Sequence, residues 1–445
     1  MACLERATSQ LNNKIILTSV GSLGDLYPIL ALALAAKDFG FSPVLAVPES
    51  HVALVRSFGL AAEPVMPDFD AVRIKLGLTE AEAVRALIED VDFLIQKILL
   101  ATLAESTQAL DDIVDGGLAI VGALVSLPGP IIAEKRNIPF VPAILSPMLT
   151  MSAWDAPTGP GFGMLAKPPV GRLRYIWNRG CLAVIHMEMR RRYARQIDQV
   201  RKHHGLAPAK SSPIFQIDGN PPLRLGLYSP LMGNIQEDFP TNLVLTGFPN
   251  FDGHDKRGGE RDDEVELFLN EGAPPLIFTL GSLAPAAAGR FYSDSLIAAS
   301  ELGMRALLLT GKNEIDCGAN ALARPYAPHS QVFPKAAVIV HHGGIGSVGQ
   351  ALKAGIPQLV VPMNGDQFDN AARISKLGVC RVLPVKNYNP LSARTALEEI
   401  MTDPLMASRA AEVGNCIRTE RGAEVAAGEL AKLLIRGVTP KAGRI

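Results

Sequence analysis

No stretch of 18 uncharged apolar residues occurs in this chain, so no membrane-spanning helix is expected. Cysteine is scarce: Cys3, Cys181, Cys317, Cys380 and Cys416 are odd in number and widely scattered, without a CxxC or a Cys/His metal spacing. That excludes a disulfide scaffold or a zinc module and favours reduced thiols in a cytoplasmic protein. An excess of one charge is also lacking. Lys and Arg number 43 against 44 Asp and Glu, a net charge of −1, so no overall field draws in nucleic acid. The first residues, MACLERATSQLNNK, lack the apolar stretch of a secretory signal, which again predicts a cytoplasmic location. Internal repeats and low-complexity tracts are absent.

What is present is material for two cores. The 445 residues are 48% apolar, and two domains of roughly 200 residues each are the natural expectation. The 40 Gly and 33 Pro are spread along the chain, as many short loops require. Apolar strand-like runs alternate with helix-like stretches: IILTSV (15–20), SPVLAVP (42–48), LAIVGALVS (118–126) and PFVPAIL (139–145) in the first half. After the Gly-rich, charged segment GFPNFDGHDKRGGERDD (247–263) the alternation restarts with PLIFTLGS (275–282), RALLLTG (305–311), AAVIVHHGG (336–344) and PQLVVPMNGDQ (357–367). This order predicts an α/β protein of two facing, doubly wound Rossmann-like domains, 1–246 and 264–445, joined by a linker at 247–263. The last helix is expected to be able to pack back on the first domain. Ligands of open α/β sheets bind beyond the carboxyl ends of the strands, which here means the interdomain cleft.

The strongest local signal is a buried strand running into His341-His342-Gly343-Gly344-Ile345-Gly346-Ser347, where a helix opens. Free backbone N–H groups at a helix start, with glycines allowing close approach, suit a diphosphate. His342 offers a hydrogen bond or a positive charge, and Ser347 a hydroxyl. Two rival readings exist. Gly344-x-Gly346-x-x-Gly349 is formally GxGxxG, with Asp366 about 20 residues on, as a dinucleotide fold would want. The turn lies late in the chain, however, with few strands left for such a domain. A tight turn without a ligand is the other reading.

HHGGIGSVGQALKAGIPQLVVPMNGDQFDNA resembles the donor-binding signature of family 1 glycosyltransferases of the GT-B fold. It is most similar to the branch of bacterial sterol glucosyltransferases and rhamnolipid-type rhamnosyltransferases. GSLGDLYPILALA, TGFPNFDG, LIFTLGS and YAPHSQVFP extend the resemblance over most of the chain. The resemblance implies that His342, Ser347 and the amides around Gly346, with His341 beside them, hold the donor diphosphate, and that Gly281 and Ser282 face it across the cleft. Asp366 and Gln367 would bind sugar hydroxyls, since a carboxylate accepts from vicinal hydroxyls and an amide both donates and accepts; a polar turn is the bland alternative. Tyr326 would lie under the nucleobase, or else in the core, and Val332 would offer backbone hydrogen bonds to the base. Asp369 and Asn370 are expected to brace the following helix. Many members carry a ribose-binding glutamate eight residues after the histidine; here it is Gln350, which leaves dTDP as open as UDP.

The turn after the first strand reads Gly21-Ser22-Leu23-Gly24-Asp25-Leu26-Tyr27-Pro28, where many members have a histidine base at the position of Asp25. Asp25 is therefore the expected catalytic base, or an N-cap for a helix starting at Pro28, roles that are compatible. The strings Asp68-Phe69-Asp70 and Asp90-Val91-Asp92 read as solvated surface acids, and no metal or other cofactor is expected. Ser22, Leu23, Ser146, Met148 and Trp154 are expected to line the acceptor pocket, whose apolar wall favours a lipophilic acceptor. Segment 172–204 holds nine Lys/Arg against two acids, interleaved with Tyr, Trp, Ile and Met. It reads as an amphipathic surface helix or as a peripheral contact with the inner face of an anionic membrane.

Together these features predict an inverting hexosyltransferase, a monomer or homodimer, that takes a UDP- or dTDP-sugar as co-substrate and glycosylates a small lipophilic hydroxyl compound. A sugar-nucleotide epimerase or hydrolase of the same fold is the alternative, with an NAD-binding or non-catalytic nucleotide-binding protein behind it.

Overall fold

The computed structural model describes residues 13–168, 170–212, 214–251, 253 and 262–438. Much of the expected linker, 252 and 254–261, lies outside the described residues. Among the described residues thirteen strands form two all-parallel sheets. The first holds β1 (Lys14–Thr18), β2 (Ser42–Val47), β3 (Ala61–Pro64), β4 (Ile120–Ala123), β5 (Phe140–Ile144), β6 (Arg224–Gly226) and β7 (Leu243–Leu245), in the order β3-β2-β1-β4-β5-β6-β7. The second holds β8 (Leu276–Thr279), β9 (Ala306–Leu309), β10 (Ala321–Arg324), β11 (Val338–His341), β12 (Gln358–Val360) and β13 (Cys380–Val382), in the order β10-β9-β8-β11-β12-β13.

Helices cover both faces of such sheets, which is why the central strands are continuous apolar runs. β4, β5, β8, β9 and β11 are buried at every position. Strand order reverses between β1 and β4 in one sheet and between β8 and β11 in the other. At those switch points the loops diverge to opposite faces and leave a crevice. The loops after β8 and β11 carry Gly281 and His342, and the loop after β1 leads into a helix whose first turn carries Asp25.

Five helices position the site. α1 (Leu23–Asp38) follows β1; α2 (Arg172–His203) runs along the outside of the first domain; α3 (Ile345–Ala354) and α4 (Asp366–Lys376) follow β11 and β12; α5 (Gly422–Val438) ends the described chain. α5 packs on the first domain. Its Ala423, Ala426, Ala427, Leu430 and Leu434 join Ile15, Leu26, Ile29 and Leu30 in one buried cluster. The chain crosses back beside its first crossing, because a Cβ on Gly422 would lie 2.3 Å from the Gly247 carbonyl oxygen. Among the described residues no helix is long and apolar enough to cross a membrane.

Because Leu430 is fully buried in the first domain's cluster, Leu430→Ala should cost about 2–4 kcal/mol. Chemical unfolding followed by hydrogen exchange should show the loss in the β1–α1 region, although residue 430 lies far away in sequence. A loss confined to the second domain would contradict this packing.

Candidate active site

The first half of the site is the turn after β1. Gly21 has φ of +108°, and a Cβ there would meet the Asp25 carboxylate at 2.5 Å, so the position takes only glycine. α1 starts at Leu23, five residues earlier than the start expected at Pro28, and Pro28 lies inside it. Ser22 is the N-cap and Asp25 closes a capping box: the Ser22 N–H donates to Asp25 Oδ2 at 3.0 Å, and the Ser22 side chain accepts from Gly24 N–H at 3.2 Å. Asp25 thus does not cap a helix beginning at Pro28. The cap network aims its carboxylate from the first turn of α1.

The second half is the loop after β11. Gly344 is the N-cap of α3 and supplies no side-chain cap, so the first amides of the helix are left open toward the cleft. A Cβ on Gly346 would lie 3.7 Å from Gly24 Cα, which puts the starts of α1 and α3 in contact across the cleft. The His342 ring sits against two glycines: a Cβ on Gly281 would approach it to 2.7 Å and one on Gly344 to 2.5 Å. Its Nδ1 is buried without a partner. Burial, with His341 and His329 nearby, pushes its pKa down to about 3, so the expected positive charge is corrected to a neutral imidazole.

His341 is also corrected. It is fully buried, its Nε2 meets Gln358 Oε1 at 2.9 Å, and its Nδ1 accepts the Gly343 N–H at 3.1 Å. Both ring nitrogens are spent, so His341 braces the loop from beneath and does not reach a diphosphate. Gly281 has φ of +73°, Ser282 is exposed beside it, and Ser347 is buried in the first turn of α3.

Asp366 opens α4. Its Oδ2 accepts from Asn370 Nδ2 at 3.0 Å, and the same amide donates to the Gly343 carbonyl at 3.0 Å. Asn370 Oδ1 accepts the Ser146 hydroxyl at 3.0 Å, so one buried amide joins the glycine loop, Asp366 and the first domain. Gln367 turns its Oε1 to the N–H groups of Met363 and Asn364, at 2.8 and 3.1 Å. Burial raises the Asp366 pKa to about 6. Asp25 is raised to about 7, first by burial and then by the charge of Asp366. The two carboxylates therefore share one desolvated cleft.

Tyr326 is exposed at the end of β10, and Gln350 is buried one turn into α3. Val332 is corrected as an amide donor: its side chain is in the core and its N–H donates to the Pro328 carbonyl at 3.2 Å. Leu23 packs against the first domain's core, and Ser22 is half-buried at the mouth. Met148 is half-buried, and Trp154 stacks on Tyr175 with centroids 4.3 Å apart. Of the DxD strings, Asp68 caps a helix through Ala71 N–H and Asp92 pairs with Arg192 at 3.0 Å. Among the described residues no three His, Cys, Asp or Glu side chains gather as a metal site. Arg373 was not anticipated. It donates to Asp369 at 2.5 Å, to the Met232 carbonyl at 3.0 Å and to Asp155. His329, whose charge bears on His342, carried no sequence signal beyond the YAPHSQVF string.

With this geometry in view, the relatives are informative. Residues 319–436 match the family described as "Erythromycin biosynthesis protein CIII-like, C-terminal domain". The chain is 29% identical over 424 residues to O-mycaminosyltylonolide 6-deoxyallosyltransferase of Streptomyces fradiae, covering 92% of this chain and 95% of the relative. It is 28% identical to vancomycin aglycone glucosyltransferase of Amycolatopsis orientalis, covering 93% and 96%. The solved structure of glycosyltransferase VinC in complex with dTDP superposes with a TM-score of 0.67 at 20% identity, covering 95% of this chain and all of that one. The fold is GT-B, and the protein is an enzyme of the glycosyltransferase class.

The raised pKa of Asp25 has a consequence for stability. As pH climbs from about 4 to about 7 the unfolded chain loses this proton while the folded chain keeps it, so folding loses stability through that window and the loss is complete above pH 7. Asp25→Asn removes the loss. Its melting temperature should equal wild type near pH 4 and exceed it by a few degrees at pH 8; an equal difference at both pH values would place Asp25 in a solvated, unshifted state.

Proposed function

We propose that the protein transfers a hexose of the glucose or rhamnose type from a dTDP- or UDP-sugar to a hydroxyl of a lipophilic small molecule in the cytoplasm, with inversion at the anomeric carbon. One observation carries the reading: Asp25 and Asp366, from different domains, face the same cleft closely enough for one charge to act on the other. The names of the relatives, which describe sugar transfer to O-mycaminosyltylonolide and to the vancomycin aglycone, support a natural-product acceptor. Gln350 in place of a glutamate, and the dTDP in the VinC structure, support dTDP over UDP.

In this reading the diphosphate lies on the uncapped amides of α3 beside Gly346 and Ser347, with Gly281 and Ser282 opposite. The neutral His342 donates one hydrogen bond. Asp366 and the free Nε2 of Gln367 hold sugar hydroxyls, while Tyr326 covers the base and the Val332 carbonyl is left to accept from it. The acceptor sits against Ser22, Leu23, Met148 and Trp154. Its oxygen loses a proton to the Asp25 carboxylate and forms a bond to the anomeric carbon. The bond from that carbon to the diphosphate oxygen breaks, and its electron pair stays on the diphosphate. Fixed amide dipoles in a dry site stabilise that charge without reorganising. A carboxylate with a pKa near 7 is a far better base than one near 4.

Turnover should therefore need Asp25 ionised. With a dTDP-sugar and a lipophilic aglycone, kcat/KM should fall about tenfold per pH unit below pH 7 and level off above it. Asp25→Asn should lower kcat by about 10²- to 10⁴-fold while a thermal shift with dTDP stays unchanged. A flat profile from pH 5.5 to 8, or sugar-nucleotide breakdown at full rate without any acceptor, would overturn the reading.

Gln350→Glu should add strong acceptors for ribose hydroxyls and raise the preference for UDP over dTDP several-fold, measured as a ratio of dissociation constants. An unchanged ratio would remove Gln350 from the nucleoside site.

A further inference from the structure

α2 is 32 residues long and packs one face on the first domain through Asn178, Leu182, Tyr193 and Ile197, all buried. A surface helix with one buried face normally turns a polar face to water. This one does not. Leu173 is 84% exposed, Ile176 and Trp177 59% each, Val184 53% and Met187 64%. At the helical angle of about 100° per residue these five fall in a single sector about 100° wide, opposite the buried face. Met164, 53% exposed, extends the stripe, and its carbonyl accepts the Trp177 Nε1–H at 2.8 Å. Contiguous exposed apolar surface of this kind marks a docking site.

The charges around the stripe say what docks. Arg172, Arg174 and Arg179 are exposed on its flanks, and Arg195 and Lys202 continue the same face toward the C-terminal end, where Arg191 is paired with Glu188 at 2.7 Å. The whole chain carries a net charge of only −1, so this cationic surface is a local concentration. We propose that the outer face of α2 is a docking surface for an anionic lipid membrane, with Leu173, Trp177 and Met187 entering the headgroup boundary and the arginines on the lipid phosphates. Trp and Leu beside Arg on one helix face is the composition that lies in a bilayer interface, and each basic residue near an anionic surface adds roughly fivefold to binding. A second copy of this chain fits less well. A two-fold contact would set the same arginine-flanked face against itself, and like charges brought together oppose association.

The inner face of α2 gives the surface its place in the molecule. Asn178 accepts from Ala166 N–H at 2.7 Å and donates to the Ala153 carbonyl at 3.0 Å, and Tyr175 stacks on Trp154. The loop 153–166 is thus strapped to the back of the helix whose front meets lipid, about one helix diameter, roughly 10 Å, away. The docking surface does not depend on how the cleft itself is read.

The test is sedimentation of the full chain with vesicles of phosphatidylcholine, with or without phosphatidylglycerol. Binding is expected only to the anionic vesicles and should be released by high salt. Leu173→Ser with Trp177→Ser should weaken it at least fivefold, as should Arg191→Glu with Arg195→Glu, while both variants keep the wild-type melting temperature. No binding to anionic vesicles, equal binding to neutral ones, or binding untouched by either pair of substitutions overturns the proposal. So does a doubled mass in solution that the Leu173 and Trp177 substitutions halve, which would make a second copy the occupant.

Discussion

A buried guanidinium fixes how the two domains face each other. Arg373 on α4 is 5% exposed and joins Asp369 of its own helix to Asp155 and the Met232 carbonyl of the first domain. Asp369 also accepts the Thr158 N–H at 2.9 Å. Removing one partner of such a network strands a buried charge, which costs more than the network contributes over an apolar replacement. Its worth lies in geometry. The chain crosses between domains at Gly247 and again at Gly422, side by side, where Glu420 ties Ser229 and Phe248 N–H at 2.6 and 2.8 Å. Two crossings at one place leave rotation free. The Arg373 cluster removes that freedom at the cleft, and Asn370, three residues earlier on α4, passes the orientation to Asp366 and the Gly343 loop.

With the faces held, the electrostatics of the cleft follow. Two carboxylates of the same sign, Asp25 and Asp366, are brought out of water into one crevice, and each resists ionisation. The loop opposite carries no cation to offset them: His342 is neutral, and the attraction for an anion comes from amide dipoles at the start of α3. A loop without its own positive charge can attract an anion only through many short donors, so the match in shape matters more than the long-range field. That is consistent with a chain of near-zero net charge. The unpartnered Nδ1 of His342 and the ionised form of Asp25 are destabilising features concentrated at the proposed site, and stability is commonly given up where a protein works.

The sequence made the central strands and their loops legible because parallel strands buried on both faces leave uninterrupted apolar runs, as in IVGA, LIFT and VIVH. Edge strands were not legible. β3 (AAEP), β10 (ALAR) and β13 (CRV) are three or four residues long and half-exposed, so they carry no run to read. The start of α1 was misplaced because Pro28 looks like a first-turn proline, whereas the capping box of Ser22 and Asp25 starts the helix five residues earlier. At the site, residue types alone could not tell His341 from His342. Strand alternation separates them: one points down to Gln358 and the other into the cleft. Arg373, and the partners of Asn370 beyond its expected role as a brace, were out of reach for a deeper reason. A helix pattern shows which face is polar, but the partners that make that polarity useful, Asp155 and Ser146, lie more than 200 residues away and become visible only when the two domains face each other.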